Sequence, residues 1–582
     1  VHVPLELLTA GRDLTEPKIS PDGQTVAFVQ RWRGAAAIMT VPVEGGAERA
    51  LSTGPDPAPG RGTGGGCFDW HPDGTGVVYA ANDGELWWQP VGGRPEPITE
   101  LERECRAPST DGSVVVFIVD EAEVWKVQLG SRALRRLDDG GDAFCFDPEL
   151  APDSSAAVWQ GWSPPAMPWD AAHRVTCVLV DGTCERWRPE GAAVQQPRFI
   201  SAGSTAVVHD ASGWLNVYLD DKPVLAEAFE QAGPTWGMGQ RSFALSPDEK
   251  QIALCRNERG FGRLIVVERS TGAVTNIGKG GHGQLSWHGN TVVALRTGAV
   301  TPTQIVTYDV SDLDVKPPRT VLAVGPADGW QQFELPEPEV IEVDGLFARR
   351  YAAGNGKLLA WVHGGPTDQW QADFRPRISY WWSRGWDVLV VDPRGTTGHG
   401  RQFQQALNGG WGRFDVDDTA ALIAHGHAAG WATPATSVVM GGSSGGLTVL
   451  GVLADHPDLV AGGVASYPVS DLRALTRVTH RFEAHYCDTL VGEPAVVGWE
   501  RYDELSPLHR AGRIDAPLLL FHGSDDPVVP ISQSETVVEA IRSSGGQVEF
   551  VVYDGEGHGF RDPANIRDEY ERTEAFLTAL TR

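Results

Sequence analysis

The sequence predicts two domains, a seven-bladed β-propeller followed by a doubly wound α/β sheet, and three observations carry that reading. A turn signature recurs through the first half of the chain, a proline-rich junction ends it, and beyond the junction an apolar strand runs into a sharp glycine turn and a helix. At 582 residues the chain also exceeds what one hydrophobic core organises.

Taken in order, residues 1–10 read as a short helix opened by Pro4 and closed before Gly11, a candidate to pack on the C-terminal domain. From 11 to 325 short β-branched runs alternate with Gly, Pro and Asp. Within them Ser20-Pro21-Asp22-Gly23 has counterparts at His71-Pro72-Asp73-Gly74, Ser109-Thr110-Asp111-Gly112, Ala151-Pro152-Asp153-Ser154, Ser201-Ala202-Gly203-Ser204, Ser246-Pro247-Asp248-Glu249 and Trp287-His288-Gly289-Asn290. These starts lie 38 to 51 residues apart, the length of a four-stranded propeller blade, and each would turn the chain between the first two strands of its blade. A β-sandwich does not need seven similar turns.

The segment from Gly161 to Asp170 carries three prolines and two tryptophans, Trp162 and Trp169. Such rings are costly to leave in water. Either they line a ligand cavity, which makes them candidate substrate contacts, or the loop folds back on its own blade.

Seven cysteines are scattered without C-x-x-C spacing and read as free thiols of a reducing compartment, hence a cytoplasmic protein, with a cleaved leader ahead of Val1 still compatible. Cys177 and Cys184 flank Asp181-Gly182, read as a two-residue hairpin turn, which would set Cys184 opposite Leu179 and leave the two thiols diagonal. No His/Cys/Asp spacing suits a metal, and no cofactor is expected. The formal charge of −28 repels phosphate backbones and argues against a nucleic-acid partner. No apolar run is long enough to span a bilayer, so no membrane partner is expected either.

Pro317-Pro318, Gly325-Pro326 and Leu335-Pro336-Glu337-Pro338 mark the junction, and residues 326–582 form the second domain. Strands are expected at Leu358 to Val362, Asp387 to Val391, Leu459 to Ser466, Pro517 to His522 and Val548 to Tyr553, with a helix over 416–429. The turn Gly441-Gly442-Ser443-Ser444-Gly445-Gly446 reads as a nucleophile elbow, because small residues two before and two after a serine let strand and helix approach while its hydroxyl stays exposed. In G-x-S-x-G the central serine is taken as Ser444, between Gly442 and Gly446, with Ser443 pointing away. No lysine follows, which removes a phosphate-binding loop.

A serine hydroxyl needs a base, and the base needs an acid. Both follow in α/β-hydrolase order: Asp526 after the strand that ends at His522-Gly523, and His558 in Gly555-Glu556-Gly557-His558-Gly559-Phe560 after the last strand. Asp525 is one residue short of the acid position, His522 precedes the acid, and His363 belongs to a glycine-rich loop, His363-Gly364-Gly365-Pro366. The amides of Gly445 and Gly365 are the expected oxyanion donors.

A propeller followed by H-G-G-P, G-x-S-x-G-G, H-G-x-x-D-x-x-V-P and G-H-G-F resembles the prolyl oligopeptidase family of serine peptidases over nearly the whole chain. His363 and the serine motif are similar to the acylaminoacyl-peptidase branch, which includes bacterial aminopeptidases; prolyl oligopeptidase itself and the dipeptidyl peptidases carry tyrosine where this chain has His363. The resemblance implies that the propeller caps the site and admits short peptides. The expected activity is exopeptidase cleavage of short peptides or aminoacyl amides from the N-terminus. Acylaminoacyl-peptidase, dipeptidyl-peptidase or carboxylesterase specificity are the alternatives, and a non-catalytic scaffold would not need all three catalytic groups. The segment Thr479 to Tyr486 offers Phe482 and Tyr486 beside Glu483, apolar walls and one carboxylate for a substrate ammonium, against the plainer reading that Glu483 pairs with Arg477 or Arg481.

Overall fold

The computed structural model describes residues 1–60, 64–200, 203–326 and 328–581, so Ser201-Ala202 of the fifth turn lies outside the described residues. Two compact units emerge, Gly11–Trp330 and Val1–Ala10 with Gln331–Arg582.

The first unit is seven consecutive four-stranded antiparallel sheets, one per blade, each with its strands in chain order. Blade 1 begins at Asp13–Ile19 and blade 7 ends at Arg319–Val324. The recurring aspartate explains itself locally. Asp22 Oδ1 accepts from Gln24 N at 3.0 Å and Ser20 Oγ at 2.6 Å; Asp73, Asp111 and Asp153 accept in the same way from Thr75 N, Ser113 N and Ser155 N. Each carboxylate therefore closes its own turn, the reason the residue recurs. The ring is joined where Arg12 N donates to Gly325 O at 2.8 Å, and Leu14, Val26 and Phe28 of blade 1 pack on Val293, Ile305 and Leu322 of blade 7.

Blades also share a kink that turn signatures do not reveal. Glu16, Gly66, Ala107, Asp147, Gln196, Gly239 and Gln284 all have positive φ, between 51° and 76°, in or just ahead of the innermost strands. In blades 1, 3, 4, 5 and 7 the residue opens a bulge in the pairing, and in four of these a proline follows it, at Pro17, Pro108, Pro148 and Pro197. The x-Pro steps are a signal of the inner strand, since proline forfeits a ladder hydrogen bond that a bulge does not need. Near the axis the backbones of two non-neighbouring blades meet. Gly65 N donates to Met238 O at 2.9 Å, and a Cβ on Gly239 would lie 2.1 Å from Gly66 N. Glu16 accepts from the amides of Gly66 and Cys67, Asp147 from that of Gly239, and Gln284 donates to Gly239 O.

The tryptophans of the 161–170 segment pack within this unit. Trp162 is the last residue of a blade 4 strand, 2% exposed, stacked on Phe144 at 5.1 Å and edge-on to Phe146, and Trp169 packs on Trp236 at 4.7 Å. Trp162 thus folds back on its own blade, whereas Trp169 meets a tryptophan from the segment between blades 5 and 6. The cysteine register needs correction: Cys177 sits directly opposite Cys184, because Val178 N bonds Thr183 O and the loop holds four residues rather than two. Both thiols are free.

The second unit is an eight-stranded sheet: β1 Glu339–Val343, β2 Leu346–Tyr351, β3 Leu358–Val362, β4 Asp387–Asp392, β5 Ser437–Gly442, β6 Gly462–Ser466, β7 Leu518–Gly523 and β8 Val548–Tyr553. Its order, β1-β2-β4-β3-β5-β6-β7-β8, is parallel from β4 onward and antiparallel across β1, β2 and β4. This is the α/β-hydrolase order. Helices α1 Pro376–Ser383, α2 Phe414–Ala428, α3 Ser444–Asp455, α4 Ser532–Ser543 and α5 Pro563–Leu580 accompany it. Val416 and Ile423 of α2, Val449 and Leu453 of α3 and Ile541 of α4 share one core with Leu358, Ala360 and Val362 of β3, which is buried throughout as a central parallel strand must be. Residues 1–10 contribute a helix at Glu6–Thr9, Val3 N donates to Ser383 Oγ at 3.0 Å, and Glu6 pairs with Arg567 at 2.7 Å. Among the described residues no helix is long and apolar enough to cross a membrane.

Candidate active site

The elbow lies between β5 and α3, and its register is one residue earlier than the sequence pattern suggested. Ser443 holds the strained backbone, φ 57° and ψ −123°, while Ser444 is the first residue of α3 and is 3% exposed. The close approach that the glycines permit is centred on Ser443 as well. A Cβ on Gly441 would lie 2.5 Å from Gly445 O, and one on Gly445 would lie 2.3 Å from Val362 O. Glycine is therefore required two before and two after Ser443, which corrects the reading of Ser444 as the presented serine. The sequence satisfies G-x-S-x-G in both registers, and only backbone contact separates them. Ser444 Oγ instead accepts the indole N–H of Trp411 at 3.0 Å.

The candidate for the first oxyanion donor moves with it. The amide that follows an elbow at Ser443 is that of Ser444, not Gly445, whose α-carbon is pressed against the carbonyls of Val362 and His363. As the head of α3, Ser444 N has no intrahelical acceptor. Gly365, with φ 122°, comes from the loop after β3, and a Cβ on its neighbour Gly364 would lie 3.4 Å from Ser443 Cβ. The two glycine-bearing turns thus face each other.

Asp526 and His558 are brought together, with Nδ1 of the histidine 2.7 Å from Oδ2 of the acid. Asp526 Oδ1 accepts from Val528 N and Val529 N, both at 2.9 Å. Burial opposes its charge, but the bonds from His558 and the two amides outweigh that penalty and hold the carboxyl below the usual range. His522 is buried, bonded to Ser534 Oγ at 2.6 Å and Val529 O at 2.8 Å, and its desolvation lowers its pKa; it is a neutral packing group behind the acid. Tyr467, which the sequence did not single out, bridges the two halves. Its ring lies 4.6 Å from that of His558, and its Cε2 is 3.0 Å from where a Cβ of Gly442 would stand.

A cavity opens beside the elbow, its wall including Ser443, Ser444, Gly365, Trp411, Glu483 and Tyr486. Glu483 pairs with His480 at 3.5 Å. Phe482 is buried next to His480 and is not part of the wall. Tyr486 reaches the wall but spends its hydroxyl on the loop after β3, donating to Thr367 Oγ1 at 2.5 Å and accepting from Thr367 N at 3.1 Å.

An elbow serine, two facing glycine turns and a carboxylate-held imidazole on an eight-stranded sheet, preceded by seven blades, define a propeller-bearing α/β-hydrolase. Residues 372–582 match the profile of the prolyl oligopeptidase family. The chain is similar to dipeptidyl aminopeptidase BIII of Pseudoxanthomonas mexicana, 34% identical over 38% of this chain and 32% of that one, and to the acylamino-acid-releasing enzyme of Arabidopsis thaliana, 29% identical over 36% and 28%. The matched region therefore spans about a third of the length of these curated relatives. Over the whole chain it is similar to a puromycin-hydrolyzing peptidase of Mycobacterium tuberculosis, with a TM-score of 0.89 and 26% identity covering 98% of this chain and 95% of that one.

Proposed function

We propose that the chain is a serine peptidase that cleaves short peptides or aminoacyl amides from their N-terminus, with Ser443 as nucleophile, His558 as base and Asp526 as the group that orients it. The observation that carries this reading is the strained elbow backbone at Ser443, opening on a cavity whose wall includes Val528 and Val529, the residues whose amides hold Asp526. In the reaction Ser443 Oγ bonds to the substrate carbonyl carbon as its proton passes to His558 Nε2, and the carbonyl oxygen becomes an oxyanion facing the amides of Ser444 and Gly365. Collapse expels the amine with the proton from His558. Water, deprotonated by the same imidazole, then releases the acid.

Replacing each serine in turn tests the assignment. Ser443→Ala should lose at least about 10³-fold in kcat and all labelling by a fluorophosphonate, whereas Ser444→Ala, which keeps its amide but loses its bond to Trp411, should still label and should turn over at about a tenth of the rate. The reverse result would return the nucleophile to Ser444.

The substrate class rests on Glu483, a carboxylate in a largely apolar wall, suited to a free α-ammonium. Puromycin, which the mycobacterial relative hydrolyses, is an aminoacyl amide with such an amine. Glu483→Gln should raise KM for free aminoacyl anilides and leave N-acetylated ones nearly unchanged. A preference of the wild type for N-acetylated substrates would support acylaminoacyl-peptidase specificity, the second reading, favoured by the Arabidopsis relative. The propeller is proposed as the size filter, so rates should fall with peptide length; equal rates on long, folded chains would sink that part.

A further inference from the structure

Both oxyanion amides are tied to one short segment, the helix Tyr486–Val491, although they come from loops more than seventy residues apart in sequence. On one side Tyr486 bonds the hydroxyl and amide of Thr367, two residues after Gly365. On the other, Leu490 O accepts the backbone N–H of Trp411 at 3.2 Å, and the indole N–H of the same residue holds Ser444 Oγ at 3.0 Å. Trp411 is 3% exposed and its loop is fixed a second time, since Gly412 N donates to Asp415 Oδ1 at 2.6 Å while Asp415 Oδ2 accepts from Thr448 Oγ1 of α3 at 2.6 Å. Its ring therefore has little room to move independently of the helix that Ser444 heads.

Resting on the reading of Ser443 as nucleophile, we infer that Trp411 and Tyr486 are positioning residues that set the separation of the two oxyanion donors. A tetrahedral oxyanion needs both N–H groups at hydrogen-bond distance from one point; Gly365 has no side chain to place its amide, and the one that Ser444 has is held by Trp411. The helix Tyr486–Val491 supplies the common reference: one hydroxyl reaches the Gly365 loop and one carbonyl anchors the indole that reaches Ser444. The same helix and the residues just before it supply Glu483, Tyr486 and Cys487 to the cavity wall, so filling the cavity and spacing the donors depend on one element.

Tyr486→Phe and Trp411→Phe each remove one polar group and keep a ring. Each should lower kcat about tenfold or more while KM stays within about twofold, because misplacing one donor forfeits part of the roughly 10²–10³ that a donor supplies. A peptide aldehyde, which forms a tetrahedral adduct, should lose affinity by the same factor as kcat/KM, and a product amino acid should bind as before. A general loosening of the fold would move product affinity and KM together with kcat, and that pattern would overturn the inference, as would unchanged kcat and aldehyde affinity. Should Trp411→Phe fail to fold, Thr367→Val cuts the Tyr486 arm from its other end and must reproduce the Tyr486→Phe profile. Ser443→Ala separates the two levels. If it stays active the nucleophile assignment fails; if it is dead while both ring variants behave as wild type, only the spacing role fails.

Discussion

The two units solve the problem of placing residues in opposite ways. In the propeller every blade is a contiguous stretch, and in blades 1 to 4 the turn is closed by an aspartate that bonds an amide two residues away. In the hydrolase unit Gly365, Trp411, Ser443, Asp526 and His558 come from five separate loops, and a central parallel sheet gathers them. Local closure makes a repeat legible and individually dispensable. A gathered site depends on register, so that one residue's displacement decides which serine is presented.

The largest effect should come from the elbow glycines. Gly445→Val puts a branched side chain where a single Cβ would already lie 2.3 Å from Val362 O and 2.8 Å from His363 O. Soluble yield and activity should both collapse, since the obstacle is backbone and cannot swing aside. A folded, active Gly445→Val would break the contrast, showing that the site tolerates displacement as the propeller does.

Next in size, Asp526→Asn should leave the fold intact but cost about 10³-fold or more in kcat by releasing the orientation of His558, measured as turnover alongside the thermal midpoint. By comparison Asp22→Ala in blade 1 should cost only about 0.5–1.5 kcal/mol of stability, read in denaturant, and leave kcat untouched. If the Asp22 variant lost activity, the local character of the turns would be in question.

The smallest effect sharpens the comparison through pH. Asp248 is held at about 2 by Ser246 and Lys250, and Asp22, Asp73 and Asp153 are also lowered, first by serine or threonine hydroxyls. Their stabilisation is complete above the unfolded carboxylate range and fades as acid takes the pH down through the lowered folded values. Asp415 runs the other way: burial pushes it up to about 6, so the folded state keeps a proton that the unfolded state gives up, and stability falls as pH rises from about 4 to 6. Calorimetry across that window should show Asp415→Asn flattening the slope. An unchanged slope would mean that another group sets it.

The legibility of the sequence follows the same division. Seven turns gave the propeller, and apolar runs gave β3, β4, β6, β7 and β8 to within three residues at their ends. The hairpin β1–β2 was missed, although Asp344-Gly345 marks its turn, because Glu339, Glu342, Arg349 and Arg350 interrupt the apolar pattern and the region reads as a proline-rich junction. Asp526 and His558 were legible because each follows a strand end at a fixed offset. The elbow was not, since two adjacent serines between paired glycines satisfy the pattern twice. Trp411 left no trace either: its bond to Ser444 spans 33 residues and belongs to no local pattern. The Cys177–Cys184 register failed for a local reason, a four-residue loop mistaken for its central Asp-Gly pair.

The backbone bond from Gly65 to Met238 has a bearing on permeation. A solute moving along the propeller axis would have to break that bond and part the Gly66–Gly239 contact, two glycine backbones with no side chain to swing away. Because that contact is main chain against main chain, opening it takes movement of the backbone between two blades rather than the rotation of a side chain.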